Sequence, residues 1–302
     1  MHSLIYNLDM DIFEYIVQRL KPIYQSNDVC YQIALWMLQA ITKAGEKDLL
    51  AHPSLLLTTQ QEQEVDRWLE LHVDQRMPLQ YLIGWVPFGP LRIFVEPPTL
   101  IPRPETEEWC LRLCEQLERL RINNIAVLDL CTGSGCIALL FAHTLPMARI
   151  DATDIAAQAL SLAHKNAAQN HIKGVHFFHS DIYDHIPADS RYDLIVANPP
   201  YISSDEWQTV DPSVTLWEDK QALLAQNNGL EIIERIINRA KEFLKYNPAM
   251  DQKDIPQLVI EIGYQQADSV RNLLHQAGFS KIAILKDLAG NDRVAQANIR
   301  PA

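Results

Sequence analysis

Cysteine is scarce in this sequence, and its few copies are not spaced to build a disulfide framework. They are odd in number and include no CxxC pair; the five are Cys30, Cys110, Cys114, Cys131 and Cys136. This usage is typical of a protein from a reducing compartment. Cys110 and Cys114 are four residues apart and are expected to share one face of a helix, whereas Cys131 and Cys136 are expected to be small apolar residues beside a turn.

Basic residues and long apolar runs are also in short supply. The 302 residues include 26 Lys or Arg against 38 Asp or Glu, a net charge of −12. Binding to nucleic acid depends on neutralising phosphates with Lys and Arg, so this balance argues against a general affinity for nucleic acid, although a local basic patch stays open. The longest apolar runs are short and broken by charge, and no membrane span is predicted.

A metal-ligand motif and a targeting segment are missing as well. Several histidines fall within residues 171–185, but neither an HExxH motif nor a Cys/His quartet accompanies them, so no metal site is predicted. The opening residues carry acids early and their first arginine only at Arg19. This pattern differs from the basic-then-apolar order of a signal peptide and from the Arg-rich, acid-poor composition of a transit peptide.

The pattern of apolar residues divides the chain into three predicted segments. Residues 1–84 place apolar residues at spacings of three and four, which predicts a small helical domain. In residues 85–104 glycine and proline separate short β-prone runs, as in a β-hairpin connector. Residues 105–302 alternate strands with helical lengths, which predicts an α/β domain with a largely parallel, doubly wound sheet and a late strand pair. The seven predicted strands are 126–130, 149–154, 175–180, 192–198, 257–263, 281–288 and 293–299.

The first of these strands runs into a glycine turn, "LDLCTGSGCIAL". Gly133 and Gly135 are expected to let the backbone pass close to a ligand at the start of the next helix. Asp154 ends the next strand, 19 residues after Gly135. A carboxylate there is placed to accept both ribose hydroxyls of an adenosine cofactor, and it is equally placed to cap the helix that follows. The turn and Asp154 together predict a cofactor at this edge of the sheet.

Two cofactor classes share this geometry. A dinucleotide cofactor is one alternative, because Ala138 stands where the third glycine of GxGxxG is expected and the fingerprint tolerates alanine. The third strand, however, ends in a second acid, Asp181, which is placed to bind an adenine amino group, with Ile182 against the ring. Three successive strand ends that offer glycines, Asp154 and Asp181 fit S-adenosylmethionine better than a pyrophosphate.

The fourth strand ends in "VANPPY", residues 196–201. Two prolines are a rigid way to end a strand, but the asparagine before them suggests chemistry as well. A planar nitrogen attacks a methyl donor only when two acceptors hold its N–H bonds. The Asn198 side-chain oxygen and the Pro199 carbonyl are such acceptors, and Pro200 helps to hold the second one rigid. Tyr201 offers a flat face for stacking on a planar amide or base.

These motifs resemble those of the glutamine N5-methyltransferases of peptide-chain release factors. The likeness runs through "PLQYLIGWVPFG", "LIPRPETEEW", "LDLCTGSGCIAL", "ATDIAAQAL" and "ANPPYI". NPPY alone is shared with DNA adenine methyltransferases, whereas the combination with PLQYLIG and IPRPETE is specific. The resemblance implies a Rossmann-like, S-adenosylmethionine-dependent methyltransferase domain behind a substrate-docking helical domain. It also implies a substrate, the glutamine in the Gly-Gly-Gln loop of a class 1 release factor, and hence a role in translation termination.

The resemblance also assigns roles to residues. It implies catalytic roles in holding the glutamine amide for Asn198, Pro199, Pro200 and Tyr201. It implies cofactor contacts for Cys131, Thr132, Gly133, Ser134, Gly135, Asp154, Ile182 and Asn198. The chain departs from the family pattern at Cys131, where a glycine is usual, and at Ile182, where an aromatic residue is frequent. "TEEW" and "CTGSGCI" look more like mitochondrial than bacterial members, so a mitochondrial matrix protein is expected, with the bacterial cytoplasm as the alternative.

Two other functions stay open on the sequence alone. One is a nucleic-acid adenine N6-methyltransferase, which uses the same NPPY chemistry but ordinarily needs a basic domain to read its target. Residues 1–100 hold seven Lys or Arg against twelve Asp or Glu, a net charge of −5, which suits docking of a protein better than of DNA. The other is a non-enzymatic binding protein with a degenerate site, an idea prompted by Cys131.

Overall fold

A computed structural model describes residues 11–51 and 57–300, and these residues group into two compact units. The first unit comprises the described residues up to Gly84 together with residues 211–217. The second unit comprises residues 85–210 and the described residues from Glu218 onward. The start of the first predicted helix, Asp9 and Met10, lies outside the described residues.

The first unit is helical, as the apolar spacing predicts. Its helices pack around a core that includes Ile16, Leu38 and Leu69, all fully buried. The last long helix continues into one turn of π-helix at Glu70–Asp74. The helices are α1 (Ile12–Leu20), α2 (Asn27–Thr42), α3 (Glu46–Ala51), α4 (Thr59–Leu69) and α5 (Leu79–Ile83), of which the short α3 and α5 were not foreseen from the sequence.

Local hydrogen bonds explain where this unit's elements begin and what joins them. The Thr58 hydroxyl accepts from the Gln61 amide while the Gln61 side chain accepts from the Thr58 amide, and this capping box starts α4. The Trp217 indole N–H donates to the Gln75 carbonyl at 2.9 Å. That bond attaches the distant segment 211–217 to the helical unit.

The second unit begins with an antiparallel hairpin, β1 (Trp85–Phe88) and β2 (Leu91–Phe94). The elements that follow are α6 (Pro104–Arg119), β3 (Ala126–Leu130), α7 (Cys136–Thr144), β4 (Arg149–Asp154), α8 (Ala157–Gln169), β5 (Val175–His179), β6 (Leu194–Ala197), α9 (Ser204–Trp207), α10 (Pro212–Thr215, in the segment that groups with the first unit), α11 (Gln226–Gly229), α12 (Glu231–Phe243), α13 (Pro248–Asp251), β7 (Leu258–Glu261), α14 (Ala267–Gln276), β8 (Ser280–Lys286) and β9 (Asp292–Asn298).

The seven strands β3–β9 form one sheet in the order β5-β4-β3-β6-β7-β9-β8. Strands β3 to β7 run parallel to their neighbours, and β9 pairs antiparallel with both β7 and β8. This confirms the predicted α/β fold with a mostly parallel sheet and a late strand pair. The chain moves outward from β3 to β5 and then returns to β6 on the other side of β3. Such a switch point opens a crevice at the carboxyl ends of the strands.

The two faces of the sheet are covered by different helices. Leu128 and Leu130 of β3 point into a core shared with Ile236 and Ile237 of α12 and with α14. Because side chains alternate along a strand, Asp129 points to the opposite face, where its carboxylate accepts from the first turn of α7. Helices on both faces leave the carboxyl ends of the strands as the edge where polar side chains gather.

The strand β6 ends one residue before the predicted boundary. It stops at Ala197 because Asn198 is followed by two prolines, which cannot donate to a sheet. The stretch from Ser204 to Gly229 holds three helices of four residues each and one 3-10 turn of three residues, Lys220–Ala222. The sequence does not predict them, because so short a helix leaves no periodic pattern. The turns of this stretch that belong to the second unit follow the NPPY motif and bring further residues to the same edge of the sheet.

Candidate active site

Three neighbouring strand ends are held level with one another by backbone hydrogen bonds. The Thr132 amide donates to the Thr153 carbonyl and the Ser180 amide donates to the Asp154 carbonyl, both at 2.9 Å. The loops after β3, β4 and β5 therefore start side by side. Together with the loop after β6 they enclose a cleft of about 380 Å³.

Most of the residues singled out in the sequence lie around this cleft. Its walls include Cys131, Gly133, Asp154, Asp181, Ile182, Asn198 and Pro200. Thr132 and Ser134 are instead buried beneath the turn, and Pro199 is buried at the end of β6. Tyr201 is half-buried, with its ring packed against the hydrophobic core. The backbone thus brings members of both predicted sets, the cofactor-binding and the catalytic residues, to one cavity.

The two glycines of the turn have different surroundings. At Gly133 the backbone φ is +56°, and a Cβ there would meet no atom within 4 Å, so the residue leaves open space on the cleft side. At Gly135 a Cβ would lie 3.0 Å from the Cβ of Ala163 in α8. Gly133 therefore lines the cleft, whereas Gly135 permits close packing of α7 on α8, and the cofactor contact expected of Gly135 stays a prediction.

Asp154 joins the glycine turn to the end of β4. Its Oδ2 accepts from the Gly133 amide at 2.8 Å, and its Oδ1 accepts from the Ala156 amide at 2.8 Å, just ahead of α8. Burial raises the pKa of this carboxyl, and the two amides act in the opposite direction. Each carboxylate oxygen keeps a second lone pair, so the helix-capping role and a ligand-binding role are compatible.

A second carboxyl, Asp129, lies fully buried beneath the turn. It accepts from the Thr132 hydroxyl at 2.5 Å and from the Ala138 amide at 3.1 Å, both through Oδ2. Its Oδ1 has no hydrogen-bond partner among the described residues. Burial raises the pKa of Asp129 to about 7, so between about pH 4 and 7 the folded protein keeps a proton on this carboxyl group that the unfolded chain loses. Folded stability is therefore expected to fall as pH rises from about 4 to 7 through this group.

Two residues on the cleft wall hold strained backbone conformations. Cys131 has φ +59° and Ile182 has φ +51°, in the left-handed region that β-carbons, and β-branched residues above all, disfavour. The Ser180 hydroxyl supports the second loop by donating to the Ile182 carbonyl at 3.1 Å. Strain of this kind concentrates at functional sites, and here both cases fall at the positions where the sequence departs from the family pattern.

Asp181 has a partner that the sequence did not predict. The guanidinium of Arg235, in α12, donates to Asp181 Oδ2 at 2.8 Å, and both side chains are part-exposed on the cleft wall. The ion pair joins the third strand end to α12. It leaves Asp181 Oδ1 as the oxygen through which the predicted contact with an amino group would be made.

Asn198 is connected to a buried carboxylate through a hydroxyl. Its Nδ2 donates to the Thr106 hydroxyl oxygen at 3.0 Å, and the Thr106 hydroxyl donates to Glu261 Oε2 at 2.7 Å. The Trp109 indole N–H also donates to Oε2, at 2.9 Å, and the Tyr201 hydroxyl donates to Oε1 at 3.3 Å. Glu261 is 1% exposed, and burial raises its pKa. The Glu261 carboxylate is therefore linked to both ends of the NPPY motif, to Asn198 through Thr106 and to Tyr201 directly.

The loop that begins at Glu218 forms another wall of the cleft. Glu218 is buried and accepts from Arg103 through both oxygens, at 2.7 and 2.8 Å, and burial raises its pKa. The Asp219 amide donates to the Pro98 carbonyl at 2.7 Å. Asp219 and Gln221 face the cleft, so this loop contributes to the site.

Two features are absent from the part of the chain that the structure describes, a metal-ligating cluster and a membrane-spanning helix. Within residues 11–51 and 57–300, no group of three or more His, Cys, Asp or Glu side chains is arranged to hold a metal ion. No helix among these residues combines the length and the apolar character that crossing a membrane requires.

The chain matches two protein-family models and several proteins of known function. A family model described as the PrmC N-terminal domain matches residues 11–84, and one described as the Methyltransferase small domain matches residues 112–253. A release factor glutamine methyltransferase of Enterococcus faecalis is 38% identical over 80% of this chain and 84% of the relative. One from Coxiella burnetii is 35% identical over 85% of this chain and 88% of the relative. The chain belongs to the release factor glutamine methyltransferases.

Membership of this family confirms the resemblance and, with it, an enzyme that uses S-adenosylmethionine as methyl donor. The adenine methyltransferase alternative is not favoured. The catalytic domain of hMettl16, solved in complex with MAT2A 3′UTR hairpin 6, superposes with a TM-score of 0.53 and 19% identity, covering 82% of this chain and 84% of that one. That likeness concerns the fold alone. The relatives named here are bacterial, so the mitochondrial expectation is not supported, and the bacterial cytoplasm stays a proposal.

Thr106, Arg235 and Glu261 are among the residues of the site that sequence reasoning missed. Thr106 lies within the quoted motif "IPRPETEEW" but carried no stated role. Glu261 had a usable signal, because an acid inside the apolar strand "LVIEIG" needs a buried partner. Arg235 offered no such signal, since a basic residue on an amphipathic helix is ordinarily a surface residue.

Proposed function

We propose that this methyltransferase modifies the glutamine of the Gly-Gly-Gln loop in a class 1 peptide-chain release factor. The observation that carries the proposal is the position of Asn198, at the end of β6 on the wall of the same cleft as Asp154 and Asp181. An acceptor for a planar amide and the carboxylates for an adenosine group thus share one cavity. Family membership is the argument for a release factor as the substrate, and the NPPY motif is the argument for a glutamine amide as the methylated group.

The described residues fit S-adenosylmethionine. The turn at Gly133 leaves open space on the cleft side, Asp154 keeps free lone pairs for the ribose hydroxyls, and Asp181 and Ile182 lie side by side for an adenine. When bound, the cofactor supplies an electrophilic methyl group on a positively charged sulfur. The acids at the second and third strand ends complement that positive charge.

Asn198 and Pro199 then act on the glutamine nitrogen. The Asn198 Oδ1 accepts one N–H of the amide and the Pro199 carbonyl accepts the other, which turns the nitrogen lone pair out of conjugation and toward the methyl group. Positive charge that develops on the nitrogen is stabilised by the same two oxygens, whose dipoles are fixed before reaction, and one N–H proton is then lost to solvent to leave the neutral N-methyl amide. Tyr201 packs against the core and is not among the residues that line the cleft, so its stacking on the glutamine amide stays a prediction.

The proposal is tested by incubating the enzyme with methyl-labelled S-adenosylmethionine and an intact class 1 release factor, then mapping the label by mass spectrometry. We expect one methyl group on the glutamine of the Gly-Gly-Gln loop. Label at another residue, or no transfer by a sample that binds the cofactor, contradicts the proposed substrate. A parallel reaction with duplex DNA, expected to give no label, tests the adenine alternative.

The role of Asp154 makes a measurable prediction about cofactor binding. Asp154→Ala removes a charge-assisted pair of hydrogen bonds to the ribose, at a cost of about 1.5–3 kcal/mol. The dissociation constant for S-adenosylmethionine should rise roughly tenfold to a hundredfold, as measured by calorimetry.

The control for this prediction is the stability of the protein without cofactor. Asp154 also accepts from the Gly133 and Ala156 amides, so the variant should melt at a somewhat lower temperature but remain folded. Asp154→Asn, which keeps one acceptor oxygen, should bind the cofactor with intermediate affinity. Unchanged affinity in a folded Asp154→Ala protein would leave Asp154 with the helix-capping role alone.

The first unit, we infer, docks the body of the release factor. Two apolar side chains seven residues apart on α2, Val29 and Trp36, are 42% and 46% exposed, and this spacing puts them on one helix face. Exposed tryptophans are frequent anchors in protein interfaces. The net negative charge of residues 1–100 adds a complement to basic surfaces on a partner.

Trp36→Ser should therefore raise KM for the intact release factor roughly threefold to tenfold and leave KM for a short Gly-Gly-Gln peptide unchanged. The measurement is steady-state methylation of both substrates. Leu288→Ser is the matched control, since Leu288 is an exposed apolar residue of the second unit and its loss should affect neither substrate. Equal changes on both substrates after Trp36→Ser would mean that the side chain supports folding rather than recognition.

A further inference from the structure

We propose that Glu261, acting through Thr106, is the positioning residue that sets which way the Asn198 amide faces. The inference deepens the proposed function and rests on it, because it assigns a cause to the orientation that the glutamine-holding role of Asn198 requires. The three side chains come from β7, α6 and the end of β6, and they form a continuous hydrogen-bonded path.

The first step is that Glu261 acts as an acceptor. Three donors converge on its carboxyl group: the Thr106 hydroxyl at 2.7 Å, the Trp109 indole at 2.9 Å and the Tyr201 hydroxyl at 3.3 Å. The indole N–H can only donate, so Oε2 must offer it a lone pair. Buried carboxylates are stable when such hydrogen bonds replace water, and Arg293 adds a favourable positive charge.

The second step follows from the single proton of a hydroxyl group. When the Thr106 hydroxyl donates its hydrogen bond to Glu261, the Thr106 oxygen can only accept hydrogen bonds from other neighbours. The side-chain amide of Asn198, 3.0 Å away, must then present its NH2 group to Thr106. The amide oxygen is directed away from Thr106 as a result, and it is this oxygen that the proposed reaction needs.

The orientation matters because the two ends of an amide are nearly equal in size and opposite in hydrogen bonding. With the amide reversed, Asn198 would point N–H donors at the N–H groups of the substrate, and the interaction would become repulsive. A side chain at the edge of a cleft, with solvent on one side, has no steric reason to choose one orientation. The buried carboxylate provides an electrostatic reason instead.

The test removes the middle of the path without touching Asn198. Thr106→Val keeps the shape of the side chain but lacks the hydroxyl, so the amide loses its orienting partner. We expect kcat on a release factor to fall on the order of tenfold, with the dissociation constant for S-adenosylmethionine unchanged. Thr106→Ser restores the hydroxyl and should restore most of the turnover. Thr106→Ala serves in place of the valine variant if the latter does not fold.

Trp109→Phe is the matched control. It removes another donor to the same Glu261 oxygen but leaves the path to Asn198 intact. We expect a lower melting temperature and turnover within about twofold of the parent enzyme. Equal losses of kcat for Thr106→Val and Trp109→Phe, or no rescue by serine, would overturn the inference and make the network purely structural. An active Asn198→Ala enzyme would instead overturn the proposed function, so the two failures are distinguishable.

Discussion

Asn198→Ala is expected to lower methyl transfer to a release factor by on the order of a hundredfold or more, while the affinity for S-adenosylmethionine changes little. The reason is that the hydrogen bond to the Asn198 oxygen strengthens as positive charge develops on the glutamine nitrogen. Its loss is felt in the transition state more than in the ground state. Steady-state kinetics on the release factor and calorimetry with the cofactor separate the two effects.

Asn198→Asp sharpens this test, because it keeps an acceptor and adds a negative charge near a positively charged cofactor. It also removes the NH2 group that donates to Thr106. A carboxylate facing the Thr106 oxygen meets lone pairs instead of a proton, so partial activity is expected. Near-normal turnover by Asn198→Ala would mean that Pro199 and Pro200 act as a rigid strand exit and nothing more.

Gly229→Ala is the second substitution with a large expected effect. Gly229 has φ +80°, and a Cβ there would overlap the Tyr201 carbonyl oxygen and lie 2.6 Å from Gln266 Nε2. Gln266 Nε2 donates to the carbonyls of Tyr201 and Asn228, at 2.9 and 3.1 Å, and this holds the exit from the NPPY motif against α11. The clash is with backbone, so relief requires the motif to move. We expect a loss of about 3 kcal/mol or more in the free energy of unfolding.

Thermal or denaturant unfolding measures the stability change, and turnover of the folded fraction measures displacement of the motif. The matched control is Gly290→Ala, because Gly290 has a similar φ of +85° but a Cβ there would meet no atom within 4 Å. That variant should lose only about 1 kcal/mol, the ordinary cost of a left-handed backbone for alanine. Equal losses of stability at the two positions would show that backbone strain, and not the contact with Tyr201, is what makes alanine unfavourable at position 229.

The sequence predicted well those features that depend on residues close together in the chain. Asp154, Asp181 and Asn198 each follow an apolar strand, and the carboxyl ends of parallel strands meet at one edge, so their gathering around one cleft could be foreseen. The same reasoning predicted the mostly parallel sheet, because strands and helical lengths alternate through the second half of the chain.

What it could not predict depends on residues far apart in the chain. Thr106 and Glu261 are separated by 155 positions, and their contact follows from how α6 lies against β7. The pairing of Asp181 with Arg235 depends likewise on the placement of α12. The role of Gly135 in packing α7 on α8 was likewise not predictable, because a glycine motif does not reveal which of its members faces a neighbouring helix.

The seven residues 211–217 give the helical unit an unusual order of synthesis. The ribosome makes its helices first but delivers Trp217, whose indole binds the Gln75 carbonyl, only after β3 to β6 and the NPPY motif have emerged. At roughly 5–20 residues per second, the 133 residues that follow Gly84 up to Trp217 take about 7–27 seconds to make. The helical unit, which is synthesised first, is therefore completed by residues 211–217, which are synthesised after the NPPY motif. A nascent chain interrupted within that interval carries an amino-terminal unit whose last hydrogen-bonding partner has not yet been made.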